Sequence, residues 1–228
     1  MREIVLDTET TGLDPENGHR IIEIGCIELL NHVPSDRVFH CYLNPQRSVP
    51  AAAVEIHGLT DALLADKPVF SDVVDDFVAF IDKAPLVIHN ASFDMGFLNA
   101  ELRRTDRPEL LPERAIDTLV MARRKFPGSP NSLDALCRRF EISTESRHKH
   151  GALVDAALLA EVYLELIGGR QPGLVFEQTE GNGAAEESRA GLLRSRPRPL
   201  PPRVTPEEKI AHERFIEQII GPGALWRG

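Results

Sequence analysis

Within its first 170 residues the chain switches the period of its apolar residues, and that switch narrows the possible folds more than any other feature. Three stretches, 4–10 (IVLDTET), 20–30 (RIIEIGCIELL) and 38–45 (VFHCYLNP), are rich in β-branched and apolar residues with turn formers between them, the pattern of consecutive strands. They predict an antiparallel meander. From Ser71 onward Val73, Val74, Phe77, Val78 and Ile81 recur at helical spacing, which predicts an amphipathic helix with Ser71 placed to cap it. A short apolar run at 86–90 (LVIHN) follows, then a helix bearing Phe93, Phe97, Leu98 and Leu102, then a buried element within 115–124 (AIDTLVMARR). Asn131 or Ser132 caps a helix carrying Leu133, Leu136, Cys137 and Phe140, and 151–167 is strongly helical until Gly168-Gly169 ends it. Strands first, then strand–helix alternation, predict an α/β domain with a mixed sheet flanked by helices.

At 228 residues the chain is longer than one such domain needs. After Arg170 its character changes: 178–189 is rich in Gly, Ala and Glu, and 194–206 (RSRPRPLPPRVTP) carries five prolines, as an extended, semi-rigid linker does. The pattern of 206–220 (PEEKIAHERFIEQII) then predicts one short helix with Ile210, Phe215, Ile216, Ile219 and Ile220 apolar, and the only tryptophan, Trp226, stands near the C-terminus. A lone helix of that length is marginal in water and needs a surface on which to bury its apolar face. No apolar run approaches the ~20 residues that span a bilayer, and the N-terminus lacks the basic, apolar and small-residue succession of a secretory signal. Cys26, Cys41 and Cys137 lie far apart in apolar stretches and read as small buried thiols of a reducing cytosol. The net charge of −9 argues against a nucleic-acid partner, since proteins that bind polyanions usually carry a basic surplus. The whole acidic excess lies in residues 1–170, with 18 Lys and Arg against 27 Asp and Glu; the remaining 58 residues balance at 8 and 8.

Four of those acids stand in positions that suit chemistry. Asp7 and Glu9 are two residues apart on the first strand, so both carboxylates point to one face; side by side they either hold a hard cation such as Mg²⁺ or Mn²⁺ or are solvated at a strand end. Asp94 follows the LVIHN strand where the chain leaves the sheet, a frequent place for site residues and equally the place for a helix-start acid. Asp155 lies near the start of an otherwise apolar helix, where a buried acid needs a partner. His150 stands five residues before it, near enough to reach the same site, and a histidine close to a metal can serve as general base. Asp117, in AIDTL, reads as structural.

The local words around these acids, DTETTG, HNASFD and HGALVD in that order, resemble the three motifs of the DEDD (DnaQ-like) 3′→5′ exonuclease family. The HxxxxD spacing ending at Asp155 is that of the histidine subtype; the tyrosine subtype would place Tyr where this chain has Gly151, and His148 has the wrong spacing to replace His150. The resemblance covers residues 3 to about 170 and implies a ribonuclease H-like five-stranded mixed sheet. It makes Asp7, Glu9, Asp94 and Asp155 the ligands of two divalent cations, Mg²⁺ or Mn²⁺, and His150 the general base. Two metals ~4 Å apart can activate a water on one side of a phosphodiester and stabilise the leaving 3′-oxygen on the other. An acidic domain then meets phosphate through its cations, and a pocket can grip a short single-stranded 3′ end without a wide basic surface. The same resemblance implies contacts from Thr8, His57 and Phe93, beside Asp7, Glu9 and Asp155, to the terminal nucleotide; for His57, in EIHGLT, a turn histidine bonding local backbone is the alternative.

The layout beyond the motifs, including 67–81, 126–142 and the terminal AHERF and ALW, is similar to the proofreading subunits of bacterial replicative DNA polymerases. It implies an exonuclease domain at 1–170, a clamp-binding peptide at 171–176, a flexible linker at 177–206 and a polymerase-binding segment at 207–228. Gln171, Leu174 and Phe176 of QPGLVF resemble the QxxLxF peptide that docks in a sliding clamp (beta); a helix-exit segment packing its own Leu174 and Phe176 is the alternative. The C-terminal segment would bind the catalytic (alpha) subunit, which would cover the lone helix, and a small theta-like subunit is a further implied partner. A cytoplasmic, nucleoid-associated protein with no membrane contact is expected. A non-catalytic bridge on a vestigial nuclease fold and an RNA-end exonuclease are the rival readings.

Overall fold

The computed structural model describes residues 1–144, 150–169 and 205–215. The chain divides into two units, Met1–Leu174 and Val175–Gly228. In the first, β1 (Arg2–Thr10), β2 (Ile21–Leu30) and β3 (Val33–Tyr42) form the expected antiparallel meander. Asn31 and His32, both at positive φ (52° and 66°), connect β2 to β3, a two-residue turn whose twist matches the strands it joins. Two three-residue strands, β4 (Leu86–Ile88) and β5 (Ala115–Asp117), run parallel to β1 and complete a five-stranded sheet of order β3-β2-β1-β4-β5.

Alternation along β1 assigns the two faces of this sheet. Ile4 and Leu6 pack with α3 (Phe70–Ile81) and α4 (Ala91–Arg104), whereas Val5 packs with α7 (Ala152–Leu166). β2 is buried along nearly its whole length because helices cover both sides. α7 is therefore apolar almost all round: Ala156, Leu159, Ala160 and Tyr163 meet the sheet, and Leu158, Val162 and Leu166 meet α5 (Thr118–Lys125) and α6 (Leu133–Arg139).

Several local expectations change. Ser71 does not cap α3; the helix begins one residue earlier, and the Asp72 carboxylate accepts the Val69 N–H at 3.3 Å. The AIDTLVMARR element is a strand and a helix joined at Asp117. Ser132, rather than Asn131, caps α6, accepting the Ala135 N–H, while Asn131 donates to the Phe126 and Ser129 carbonyls. Two short helices, α1 (Ala51–His57) and α2 (Asp61–Leu64), occupy a stretch to which the sequence pattern assigned no element. Cys26 and Cys137 are buried, Cys41 is half-buried, and none is in a disulfide.

In the second unit the described part is α8 (Pro206–Phe215). Thr205 and Glu208 close a reciprocal capping box, the Thr205 N–H donating to the Glu208 carboxylate (2.8 Å) and the Glu208 N–H to the Thr205 hydroxyl (3.2 Å). Residues 171–176, the linker through 204, and 216–228 lie outside the described residues. Among the described residues no helix is long and apolar enough to cross a membrane.

Candidate active site

The C-terminal end of β1 carries the site. Asp7 and Glu9 face the α7 side of the sheet, and their cross-strand partners on β2 are Gly25 and Glu23. Asp155 lies in the first turn of α7, buried at 4% exposure. The loop before α7 brings His150 Nδ1 to 3.1 Å from Asp155 Oδ2. One ligating atom each from Glu9, His150 and Asp155 falls within a sphere of contacts no wider than 4.8 Å. Three of the five expected catalytic groups thus converge.

Asp94 enters from the opposite face, in the first turn of α4. The Thr8 N–H and hydroxyl both donate to its Oδ1, at 3.1 and 2.7 Å. Burial pushes the Asp94 carboxyl up to about 7; the Thr8 bonds and backbone amides pull the other way, and nearby Asp117 adds to the rise. Thr8, only 6% exposed, therefore links the β1 acids to α4, a role its sequence position did not suggest. Asp117 is taken up structurally: it accepts the Leu119 and Val120 N–H groups at the start of α5 and the Asn90 and Ala91 N–H groups before α4, tying the two helix starts together.

His57 is the last residue of α1 and 6% exposed, with its Nδ1 accepting the Leu59 N–H at 3.0 Å. The local backbone bond of the turn alternative is present, made across Gly58 at φ 78°. Phe93 is half-buried against Phe97, ring centroids 5.0 Å apart. His148, Gln171, Leu174 and Phe176 lie outside the described residues.

Two features of β2 escaped the motif reading. Gly25 sits directly under the start of α7: a Cβ there would lie 2.3 Å from the Ala152 carbonyl carbon and from Leu153 N. Only the missing side chain lets α7 approach β2 closely enough to carry Asp155 to Glu9. The available signal was a glycine inside a β-branched strand, which often marks close backbone approach. The second is Glu23, 3% exposed, with His40 Nε2 2.8 Å from its Oε1. Burial, reinforced by Glu23, pushes the Tyr42 phenol up. Glu23 Oε2 also reaches the position of the absent Gly151 Cβ at 3.9 Å, so this carboxylate backs the loop that carries His150.

Comparison with known proteins follows the same lines. The family model described as exonuclease matches residues 4–163. The DNA polymerase III subunit epsilon of Rickettsia felis is 50% identical over 225 residues, covering 96% of this chain and 97% of that protein. The chain belongs to this exonuclease family. The epsilon subunit of Escherichia coli K12 is 44% identical over 238 residues, covering 99% of this chain and 97% of that protein. Among solved structures, exonuclease X in complex with 5′ overhanging duplex DNA is 29% identical with a TM-score of 0.56, covering 72% of this chain and 90% of that one. The nuclease domain of 3′hExo, a DEDDh family member bound to rAMP, shares the fold at 18% identity and TM-score 0.62, covering 73% and 91%.

Exonucleases of this family depend on divalent metal ions, and the residues present fit that requirement. Glu9 and Asp155 bring carboxylate oxygens, the donors hard divalent cations take, into one small space from a strand and a helix that would otherwise hold mutually repelling anions together.

Proposed function

We propose that this protein is the proofreading 3′→5′ exonuclease of a bacterial replicative DNA polymerase, releasing 5′-mononucleotides from mispaired 3′ ends. The observation that carries the reading is near-full-length similarity to epsilon subunits in a chain whose Glu9, His150 and Asp155 meet within 4.8 Å. Asp7, Glu9, Asp94 and Asp155 would hold two divalent cations, Mg²⁺ or Mn²⁺. When bound, such ions lower the pKa of water and stabilise the leaving oxygen of a phosphodiester. His150, held through Nδ1 by Asp155, accepts the proton of the attacking water. Asp7, Glu9 and Asp155 also border the bound end, whose terminal nucleotide is held by Thr8, His57 and Phe93, with Thr8 orienting Asp94 as well.

The C-terminal segment 207–228 is assigned to the polymerase alpha subunit and Gln171, Leu174 and Phe176 to the beta clamp, with a theta-like subunit a further partner of the 1–170 domain. Work at the replication fork would put the chain in the cytoplasm at the nucleoid. A chain truncated after residue 170 is expected to hydrolyse single-stranded DNA 3′ ends as the full chain does while failing to retain the alpha subunit in a pull-down. Joint replacement of Gln171, Leu174 and Phe176 by Ala should weaken clamp binding alone. Undiminished alpha binding by the truncated chain would refute the tail's role, and faster hydrolysis of RNA than DNA ends in competition would refute the proofreading assignment.

Asp94 imposes a pH dependence. Its folded carboxyl titrates near 7 against an ordinary 3.8, so between those values the folded chain keeps a proton that the unfolded chain has released. By linkage, stability without added cation falls as pH rises through this window, and the full penalty is present above it. A cation at Asp94 competes with that proton below pH about 7 and not above. The rise in Tm on adding Mg²⁺ is therefore expected to be larger at pH 8 than at pH 6, read by thermal unfolding; an equal rise at both would remove Asp94 from the ligand set.

A further inference from the structure

The site described so far accounts for the 3′-terminal nucleotide and leaves the preceding strand without a partner. On a chain of net charge −9, residues 118–139 stand out, with five cations and a single carboxylate, Asp134. Three of the five have structural work. Lys125 Nζ donates to the Glu165 and Leu166 carbonyls at the end of α7 (2.9 and 3.1 Å), Arg138 Nε donates to the Asp134 carbonyl, and the Arg139 guanidinium lies over the Phe126 ring at 4.2 Å. Arg123 and Arg124 are exposed and make no ion pair among the described residues.

Arg123 lines a cleft of about 480 Å³ together with His89, Asn90, Ser129 and Ser132. The cleft adjoins the site covalently. His89 and Asn90 are the two residues between β4 and the helix whose first turn holds Asp94, and Asp117 fastens the Asn90 and Ala91 amides to the start of α5. Asn90 sits at φ 66° without a side-chain cap bond to α4, so its amide is not committed to the helix it precedes. His89 Nδ1 is 2.9 Å from the Thr118 hydroxyl. Burial holds its imidazole below the usual value, the Asp117 charge and a hydrogen bond at the Asn131 backbone oppose, and the charge of Arg123, which lines the same cleft, adds to the lowering. Leu119 and Asn131 complete the lining, and the Asn90 amide and the Ser129 and Ser132 hydroxyls beside one unpaired cation are groups that suit a phosphate oxygen.

We infer that the His89–Asn90–Arg123–Ser129–Ser132 cleft is a subsite for a phosphodiester of the DNA strand upstream of its 3′-terminal nucleotide, with Arg123 as the charged contact. This rests on the nuclease reading and deepens it: the acidic domain holds the terminal nucleotide through its acids and grips the rest of the strand through a local basic seat.

The test compares two substrates in the full chain, wild type and Arg123→Ala. One is a single-stranded oligonucleotide, and the other is the p-nitrophenyl ester of thymidine 5′-monophosphate, which has no upstream phosphodiester. The variant is expected to raise KM for the oligonucleotide about tenfold, to make the slope of log kcat/KM against log salt less negative by about 0.7, and to leave ester hydrolysis unchanged. Arg123→Lys should recover the salt slope. An equal loss on both substrates, or no loss on either, overturns the subsite. Loss of polymerase retention with unchanged oligonucleotide kinetics overturns it in favour of a protein contact. A wild-type chain inert on both substrates would overturn the nuclease reading itself.

Discussion

Replacing Asp155 by asparagine is expected to lower the rate of 3′-terminal nucleotide release by roughly a thousandfold. A divalent cation contributes several kcal/mol to phosphoryl transition states, and each 1.4 kcal/mol or so is a factor of ten in rate. The substitution keeps the shape of the side chain and its reach toward His150 but removes the charge that, with Glu9, makes the site a cation site. The variant should fold. Asp155 is nearly fully buried beside another carboxylate, so neutralising it relieves repulsion, and its Tm without added cation should equal or exceed that of the wild type. Its gain in Tm on adding Mg²⁺ should be smaller. These opposite shifts separate loss of a ligand from loss of structure, and a variant with wild-type turnover would sink the assignment of Asp155.

How far these residues could be read from the chain depends on what kind of information places them. β1, β2 and β3 are long and β-branched, and both faces of β2 are covered, so their apolar content is visible without knowing the fold. β4 and β5 are three residues each, too short to show a period, and β5 merges with the helix it feeds. α1 has neither a side-chain cap nor eight residues to show a stripe. The capping box of α8 was written in the sequence as Thr205 and Glu208, three apart. At the site, the acids were legible because each stands in a short word with its own spacing. What holds them was not. The Thr8 bond to Asp94 joins residues 86 apart, and the roles of Glu23 and Gly25 follow from the register that sets them opposite Glu9 and Asp7, a quantity no single stretch contains. The net charge misled for a related reason, since a sum over the chain hides a basic segment at 118–139 behind acids gathered elsewhere.

The register at Gly25 leads to the second large effect. Gly25→Ala adds one methyl, but its Cβ would lie 2.3 Å from the backbone of Ala152 and Leu153, and backbone cannot turn aside as a side chain can. The start of α7 must move away from β2 by about 1 Å, at a stability cost of about 1–3 kcal/mol for an overpacked contact. The displacement falls on the first turn of α7, which carries Asp155, and on the residue after His150. A misplacement of about 1 Å in reacting groups costs on the order of a hundredfold. Gly25→Ala is therefore expected to lower kcat about a hundredfold with little change in oligonucleotide KM, because the cleft around Arg123 is lined from the turn between β4 and α4, from α5 and from the loop before α6, none of them part of β2 or α7. The far half of α7, where Leu159, Ala160 and Tyr163 pack on the sheet, anchors the helix and keeps the domain folded at assay temperature. Wild-type kcat alongside a lowered Tm would mean that the close approach serves packing alone; loss of kcat in a chain that still unfolds cooperatively would mean that the bare backbone of β2 sets the distance between strand and helix at which Glu9, Asp155 and His150 can act together.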